Sequence, residues 1–187
     1  MNDPKKIISS ADAINLILQG KELAGYSIKG ATDLYNIAAE IKSKLIIREC
    51  FVENLVSPSV EFIHELSLIG SHFEKCSFNY AYFIGGLTID NCIFESYLDF
   101  EAGGHNQKNC PFRIKQSSFL GFVNFFDCWF QSKVEVVDND FKKGTNLLGN
   151  KGKPFRVQFD LPPLIERNRG QIDLDGEGDK SVNTIYL

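Results

Sequence analysis

Cysteine is the residue type in this sequence that most readily binds metals or takes part in redox chemistry, and the chain contains five. Four of them occupy one position of a five-residue repeat, described below, at which other repeats have serine or alanine. These four are Cys50, Cys76, Cys92 and Cys128. That interchange is typical of a packing slot for a small side chain. No two cysteines have the Cys-x-x-Cys spacing of zinc and redox sites. We therefore expect four buried thiols, no metal and no disulfide, and only Cys110 is expected to react.

The segment EAGGHNQKNC (101–110) interrupts the sequence pattern and is the most plausible place for a specific site. An insertion in a repeat stack becomes a loop on one face, and loops carry function more often than the walls do. Glu101 and His105 have the residue types of a base and its partner. A single histidine in a Gly- and Asn-containing loop is more often solvated than catalytic. The sequence therefore predicts no catalytic residue and offers Glu101, His105, Asn106 and Gln107 as binding candidates.

Carboxylates are distributed along the chain rather than paired. Five of them fall at positions that the repeat described below would direct to solvent, each in a different column: Asp90, Asp99, Asp127, Asp138 and Asp140. A glycosidase needs two carboxyl groups about 5–10 Å apart in a cleft. The sequence also lacks a Gly-rich phosphate loop, a G-x-S-x-G motif and an H-E-x-x-H motif. We expect these charges to be solvated, and we predict that the protein is not an enzyme and has no cofactor.

Composition limits the class of protein. With 187 residues, 43% of them hydrophobic, the chain is long enough for one domain with a substantial core. The net charge of −4 provides no basic surface for nucleic acid, and it is too small to indicate a DNA mimic by itself. No run of 18 apolar residues is present, so no membrane span is predicted. We expect a cytoplasmic location.

The N-terminal segment MNDPKKIISSADAINLILQG contains a basic pair followed by apolar residues, as a signal peptide does. Asp12, Asn15 and Gln19 interrupt the apolar region, and no small-x-small cleavage site follows. The segment instead predicts a short amphipathic helix from about Ser10 to Gln19, with Ser9 or Ser10 as N-cap and Gly20 as the C-terminal stop. The apolar side of this helix would cover the first coil of a repeat stack.

A repeat of five residues runs through the middle of the chain. The stretch from Ser71 to Gly85 divides into SHFEK, CSFNY and AYFIG, with a small residue first and phenylalanine in the centre. Five matches neither the 3.6 period of a helix nor the 2 of a strand. A longer period of 21 residues relates Leu45, Leu66 and Leu87, and the series continues with steps of 25, 22 and 21 residues through Phe112 and Val134 to Phe155.

These periods predict a coil with four short sides. In each five, the central residue and the residue two before it point inward, and the others, Glu135 among them, point to solvent. Successive coils would stack about 4.8 Å apart, each hydrogen-bonded to the next. One interior column is then expected to contain Phe73, Phe94, Phe119 and Phe141.

The pattern resembles the pentapeptide-repeat family, whose fives typically read small, polar, Leu or Phe, polar, and often Gly. The blocks SHFEK, CSFNY, AYFIG, SSFLG, CWFQS and NDFKK match it in the first and third places. The match covers about Leu45 to Gly149 and departs from the family pattern in its one-residue spacers, its longer insertion and its central Ile and Val residues. The resemblance implies an all-β, right-handed quadrilateral parallel β-helix; a more general parallel β-helix is the alternative.

We expect about five to six coils of 21–22 residues. Residues 1–20 are predicted to form a capping helix, 21–160 the repeat region, and 161–187 a C-terminal cap or tail, all within one domain. Pro162 and Pro163 are expected to end the regular strands. In the tail, Ile172 and Leu174 are expected to pack on Val157 or Phe159 as an irregular cap.

For function, the sequence favours a non-enzymatic scaffold or protein-interaction module. Two alternatives stay open. The first is a DNA mimic that modulates a DNA-handling enzyme such as a topoisomerase, and the second is a carbohydrate-active β-helix enzyme. The expected partner is another protein, with no direct contact to nucleic acid or membrane. The chain is expected to be a monomer or a homodimer formed through its C-terminal end, as the family sometimes shows.

Overall fold

Strands dominate the computed structural model, which describes residues 5–179, and every strand pair in that range is parallel. Expectations for residues 1–4 and 180–187 lie outside the described residues. The one helix in the range is α1 (Ser10–Leu18). The strands, in chain order, are β1 (Lys6–Ser9), β2 (Leu23–Ala24), β3 (Tyr26–Asp33), β4 (Glu40–Ile41), β5 (Leu45–Arg48), β6 (Phe51–Val56), β7 (Glu61–Phe62), β8 (Leu66–Ile69), β9 (His72–Ser77), β10 (Leu87–Asp90), β11 (Ile93–Phe94), β12 (Leu98–Asp99), β13 (Phe112–Lys115), β14 (Ser118–Phe119), β15 (Val123–Asn124), β16 (Trp129–Phe130), β17 (Val134–Val137), β18 (Asp140–Phe141), β19 (Gln158–Phe159) and β20 (Leu164–Glu166).

The strands form the four walls of a β-solenoid of about six coils, as the repeat predicted. The first wall is the seven-stranded sheet β2-β5-β8-β10-β13-β17-β20. The second is β1-β3-β6-β9-β11-β14-β18, and the third is formed by β12 and β15 with the later residues of β6 and β9. The fourth wall contains the pairs β4-β7 and β16-β19, linked by single bridges. No helix within residues 5–179 is long and apolar enough to cross a bilayer.

Aromatic columns fill the interior. Phe73, Phe94, Phe119 and Phe141 are each no more than 1% exposed. Their rings stack in order with centroid distances of 4.9, 5.2 and 4.9 Å and interplanar angles of 7° to 8°. Parallel pairing produces this arrangement, because it places equivalent residues of successive coils directly over one another. The predicted column is confirmed.

A second repeated feature is the corner between the first and second walls. One residue in each coil has a left-handed backbone there, and these residues are Glu49, Gly70, Asn91, Gln116, Asp138 and Arg167, with φ between 51° and 59°. The N–H groups of the first five donate to carbonyls of the next coil, as in the 2.9 Å bond from Gly70 to the carbonyl of Asp90. The chain thus turns sharply at these surface residues without losing the backbone hydrogen bonds between coils.

At the N-terminal end, α1 begins with the predicted cap. The Ser9 hydroxyl accepts the Asp12 N–H at 3.1 Å, and the Asp12 carboxylate accepts the Ser9 N–H at 3.3 Å, which completes a capping box. Ala13 and Ile17 are buried on the core, whereas Leu18 is 58% exposed. The helix is not the first element, because β1 precedes it and pairs with β3.

At the C-terminal end the structure differs from the sequence-based prediction. Phe155 does not continue the first wall; it is half exposed and lies against Phe126 with a ring-centroid distance of 5.5 Å. The strand that pairs with β17 is β20, which begins directly after Pro163. Proline is tolerated immediately before a strand because its missing N–H is not required there. The two prolines therefore precede a strand rather than end the sheet.

The segment after β20 covers the last coil. Leu174 is 4% exposed and lies over Gly144, where a Cβ would be 2.5 Å from its Cδ1 atom. Ile172 is partly buried against the core, and its carbonyl accepts the N–H of Leu148 at 2.8 Å. Both apolar residues cover the stack, but the contacts of Leu174 are with Gly144 and Gly149 rather than with the predicted Val157 or Phe159. The segment is a partial further coil rather than an irregular cap.

Replacing Phe119 by Ala is expected to lower the free energy of unfolding by about 3–5 kcal/mol, because a buried ring is removed from a continuous stack. The neighbouring Leu120, which is 41% exposed, provides the matched control: Leu120→Ala should change stability by less than about 0.5 kcal/mol. Urea unfolding followed by circular dichroism measures both. Equal effects of the two substitutions would contradict the interior column.

Candidate functional site

The fourth wall departs from regular packing at one coil. Along it, Glu61, Tyr82, Gly104 and Trp129 are bridged in turn as equivalent residues of successive coils. The residue after each of them therefore belongs to one interior column, and these residues are Phe62, Phe83, His105 and Phe130. The three phenylalanines are buried, but His105 is partly exposed. An interior position in this coil thus holds a side chain that points outward.

Backbone geometry explains how His105 turns outward. Gly104 has φ +100° and His105 has φ +57°. A Cβ at Gly104 would lie 2.5 Å from the carbonyl oxygen of Trp129, so only glycine fits there. The ladder is nevertheless intact, since the N–H of His105 donates to the Trp129 carbonyl at 2.6 Å and the N–H of Phe83 donates to the Gly104 carbonyl at 2.8 Å.

Outside the wall, the imidazole joins two aromatic rings. The ring centroids of Tyr82 and His105 are 4.0 Å apart, and those of His105 and Trp129 are 5.5 Å apart with an interplanar angle of 71°. We call Tyr82, His105 and Trp129 the aromatic strip. Trp129 is 38% exposed, and its indole N–H donates to the Asp160 carboxylate at 2.9 Å. The strip is therefore a row of contacting, partly exposed rings on a hydrogen-bonded sheet.

The aromatic strip carries no positive charge at neutral pH. Partial burial lowers the pKa of His105 below its ordinary value of 6.5, and the nearby Glu61 carboxylate opposes that shift only in part. Glu61 lies beside Tyr82 at one end of the strip, and Asp160 is bonded to Trp129 at the other. The surface thus combines neutral rings with a carboxylate at each end.

The interior space left by His105 is filled from the first wall. In the column of Leu45, Leu66, Leu87 and Val134, the residue of this coil is Phe112. Its ring lies 5.6 Å from that of Phe83 and 4.7 Å from that of Phe130, the two phenylalanines on either side of the His105 level. A larger side chain from one wall replaces the missing side chain of another, as dense interior packing requires.

The predicted insertion is a tight corner. Eight positions separate Gly104 from Phe112, against five from Tyr82 to Leu87 and five from Trp129 to Val134. Asn106 is fully buried in this corner, where its Nδ2 donates to the carbonyls of Cys110 at 2.9 Å and Lys133 at 3.3 Å. Its role in the structure is to hold the corner closed.

The four predicted candidates are therefore separated by the structure. Glu101 lies at the preceding corner, where its carboxylate accepts from Asn124 at 3.3 Å, and no hydrogen bond joins it to His105. Gln107 is exposed on the turn of the insertion. Of the four, only His105 is part of the strip. Tyr82 and Trp129 were missed by sequence reasoning, although counting the repeat register would have placed both outward and beside His105.

Two acidic residues expected in solvent, Glu135 and Asp140, are buried. Glu135 points out from the first wall, yet its side chain is only 8% exposed because Arg113, Lys115 and Lys133 converge on it. Hydrogen bonds from Lys115 and Lys133 lower the pKa of Glu135 to about 2. The expectation of a solvated carboxylate is wrong here, because basic residues of the same and adjacent coils cover it.

Neighbouring acids at the last coils are also paired with cations. Asp138 forms a two-bond pair with Arg167 at 2.7 and 2.9 Å. Asp140 is 7% exposed and lies 2.7 Å from both Lys142 and Arg169. These pairs neutralise the carboxylates on this side of the molecule, so they do not form an acidic surface.

The cysteines lie where the pattern predicted. Cys50, Cys76, Cys92 and Cys128 are at most 5% exposed and unbridged, and Cys110 is partly exposed. Burial raises the pKa of all four interior thiols, that of Cys92 to about 12. Within residues 5–179, no three His, Cys, Asp or Glu side chains converge as metal ligands.

We expect one thiol per native chain to react with an aromatic disulfide reagent at pH 8. That thiol is Cys110, because the other four are buried and resist ionisation. Mass spectrometry of labelled peptides identifies the site, and labelling in urea provides the count of five. Rapid native labelling of Cys92 or Cys128 would contradict the burial.

Trp129 emission is expected to fall on acidification, because a protonated imidazole quenches a neighbouring indole. The midpoint should lie below 6.5, since the folded protein favours neutral His105. By the same linkage, the contribution of His105 to stability is present above pH 6.5 and is lost as the pH falls below it. His105→Gln should remove the transition, and His64→Gln, at an exposed histidine, should leave it. A transition that persists in His105→Gln would disprove the assignment.

Comparison with known proteins provides no relative from which a role for the aromatic strip can be transferred: no family model, no curated protein and no solved structure matches this chain. The interpretation of the strip therefore depends on its geometry, its exposure and its charge. On these grounds it is the best-defined candidate functional surface of the described residues.

Proposed function

We propose that the chain is a non-enzymatic scaffold of the pentapeptide-repeat type that binds another protein through its walls. The observation that carries the proposal is the aromatic strip. Interior packing favours a buried side chain at the His105 level, and the chain instead uses two left-handed residues, a three-residue insertion and the compensating Phe112 to expose a ring. Exposed aromatic residues held by a rigid sheet are typical of protein-binding surfaces.

The other two hypotheses have less support. A DNA mimic needs a continuous acidic wall, whereas Glu135, Asp138 and Asp140 are neutralised by neighbouring cations. A carbohydrate-active enzyme needs two carboxyl groups facing each other in a cleft. The strip has carboxylates only at its two ends, with three rings between them. Both remain hypotheses, and the affinity-capture experiment described below can support either of them.

The proposal includes a cytoplasmic location, which the four unbridged interior thiols support, because free buried cysteines are common in reducing compartments. It also includes a monomer or a homodimer formed through the C-terminal end, where Phe155, Leu161 and Leu164 are between 39% and 50% exposed.

Affinity capture from the cell of origin tests the proposed function. Immobilised protein is expected to retain a specific protein that the double variant Tyr82→Ser, Trp129→Ser releases. The control is Tyr35→Ser, which removes a 55% exposed ring away from the strip and should retain the partner. Capture of no protein above background, or equal capture by all three chains, would contradict binding through the strip.

A further inference from the structure

We propose that the aromatic strip, with Glu61 and Asp160 at its ends, binds an extended segment of the partner that carries two arginines or lysines. This inference rests on the proposed function and specifies the chemistry of the partner. The faces of aromatic rings attract cations, tryptophan most strongly, and carboxylates add a charge-assisted hydrogen bond. The strip offers three rings in contact and a carboxylate at each end.

The charges around the strip favour a cationic partner. His105 is neutral at neutral pH and does not repel a cation. Lys42 is paired with Glu40 at 3.1 Å, and Lys133 is paired with Glu135. Two cations in this region have no carboxylate partner among the described residues: Lys108, on the exposed turn of the insertion, and Arg156, which lines the same pocket as Asp160. Glu61 and Asp160 thus give the strip its negative charge.

Coil spacing determines the separation of the two cations. Glu61 and Trp129 are three coil steps apart, and the strand of Asp160 is one step further. At about 4.8 Å per step, the two carboxylates are roughly 14–19 Å apart along the stack. An extended chain rises about 3.3 Å per residue, so the matching basic residues are about four to six positions apart.

A neutral sugar fits the strip less well. Sugars stack flat on an open ring face, but the Tyr82 and His105 rings are only 4.0 Å apart and cover each other. The two terminal carboxylates add an attraction that a cation uses and a neutral sugar does not. Neutral oligosaccharides are therefore the competing ligand class in the test.

Trp129 makes the test direct, because it is the single tryptophan of the chain. The probe is an eight-residue Gly/Ser peptide with arginine at positions 2 and 7, titrated against the full chain while Trp129 emission is recorded. We expect the emission of Trp129 to change with added peptide and to reach saturation. The double variant Glu61→Gln, Asp160→Asn should bind at least tenfold more weakly, and the amide of the second substitution keeps an acceptor for the indole N–H. The control Glu74→Gln, Asp90→Asn, which removes two charges from other walls, should bind within twofold of the original chain.

Three results would overturn the inference: equal binding by both double variants, a response to the same peptide with glutamate at positions 2 and 7, or a response to neutral oligosaccharides in place of the arginine peptide. The proposed function is judged separately. If the arginine peptide does not bind, affinity capture can still retain a protein that the Tyr82, Trp129 double variant does not retain. In that case the scaffold proposal is kept and the inference of a basic partner segment is rejected.

Discussion

Parallel backbone pairing between coils is the constraint on which the rest of this structure depends. Each coil donates and accepts hydrogen bonds along its whole length, so equivalent residues must lie directly over one another. Apolar side chains at such positions form continuous columns. Phe94 and Phe119 are neighbouring members of one such column. A coil alone could not bury its inward residues, and the stability of each coil therefore depends on its neighbours.

The same constraint limits how the chain can depart from its repeat. The coil that contains His105 keeps its ladder hydrogen bonds while one side chain leaves the interior, and Phe112 from another wall occupies the space. Gly104 is required because the Trp129 carbonyl approaches too closely for a Cβ. Local irregularity at one position thus requires compensation at two others. This coupling makes the exposed imidazole part of an arrangement that involves three walls.

Small polar residues have a structural role at the corners beyond fitting the space. The N–H of Cys50 donates to the hydroxyl of Ser71 at 3.0 Å, and the N–H of Cys92 donates to that of Ser117 at 3.1 Å. The N–H of Ser117 in turn donates to the side-chain oxygen of Asn139 at 3.0 Å. Side chains of one coil thereby satisfy buried donors of the coil before it, which would otherwise cost stability.

The sequence by itself determined the four-sided repeat, the interior columns, the buried thiols and the first helix, because these follow from local periods and caps. Only the tertiary structure decided that His105 faces Tyr82 and Trp129 and that Glu135 is covered by lysines. It also decided that β20 follows Pro163. Sequence reasoning named His105 but assigned it to a loop, and it did not identify the two rings beside it. The reason is physical: which way a side chain turns, and whether a charge is solvated, depends on residues about one coil away that only stacking brings into contact.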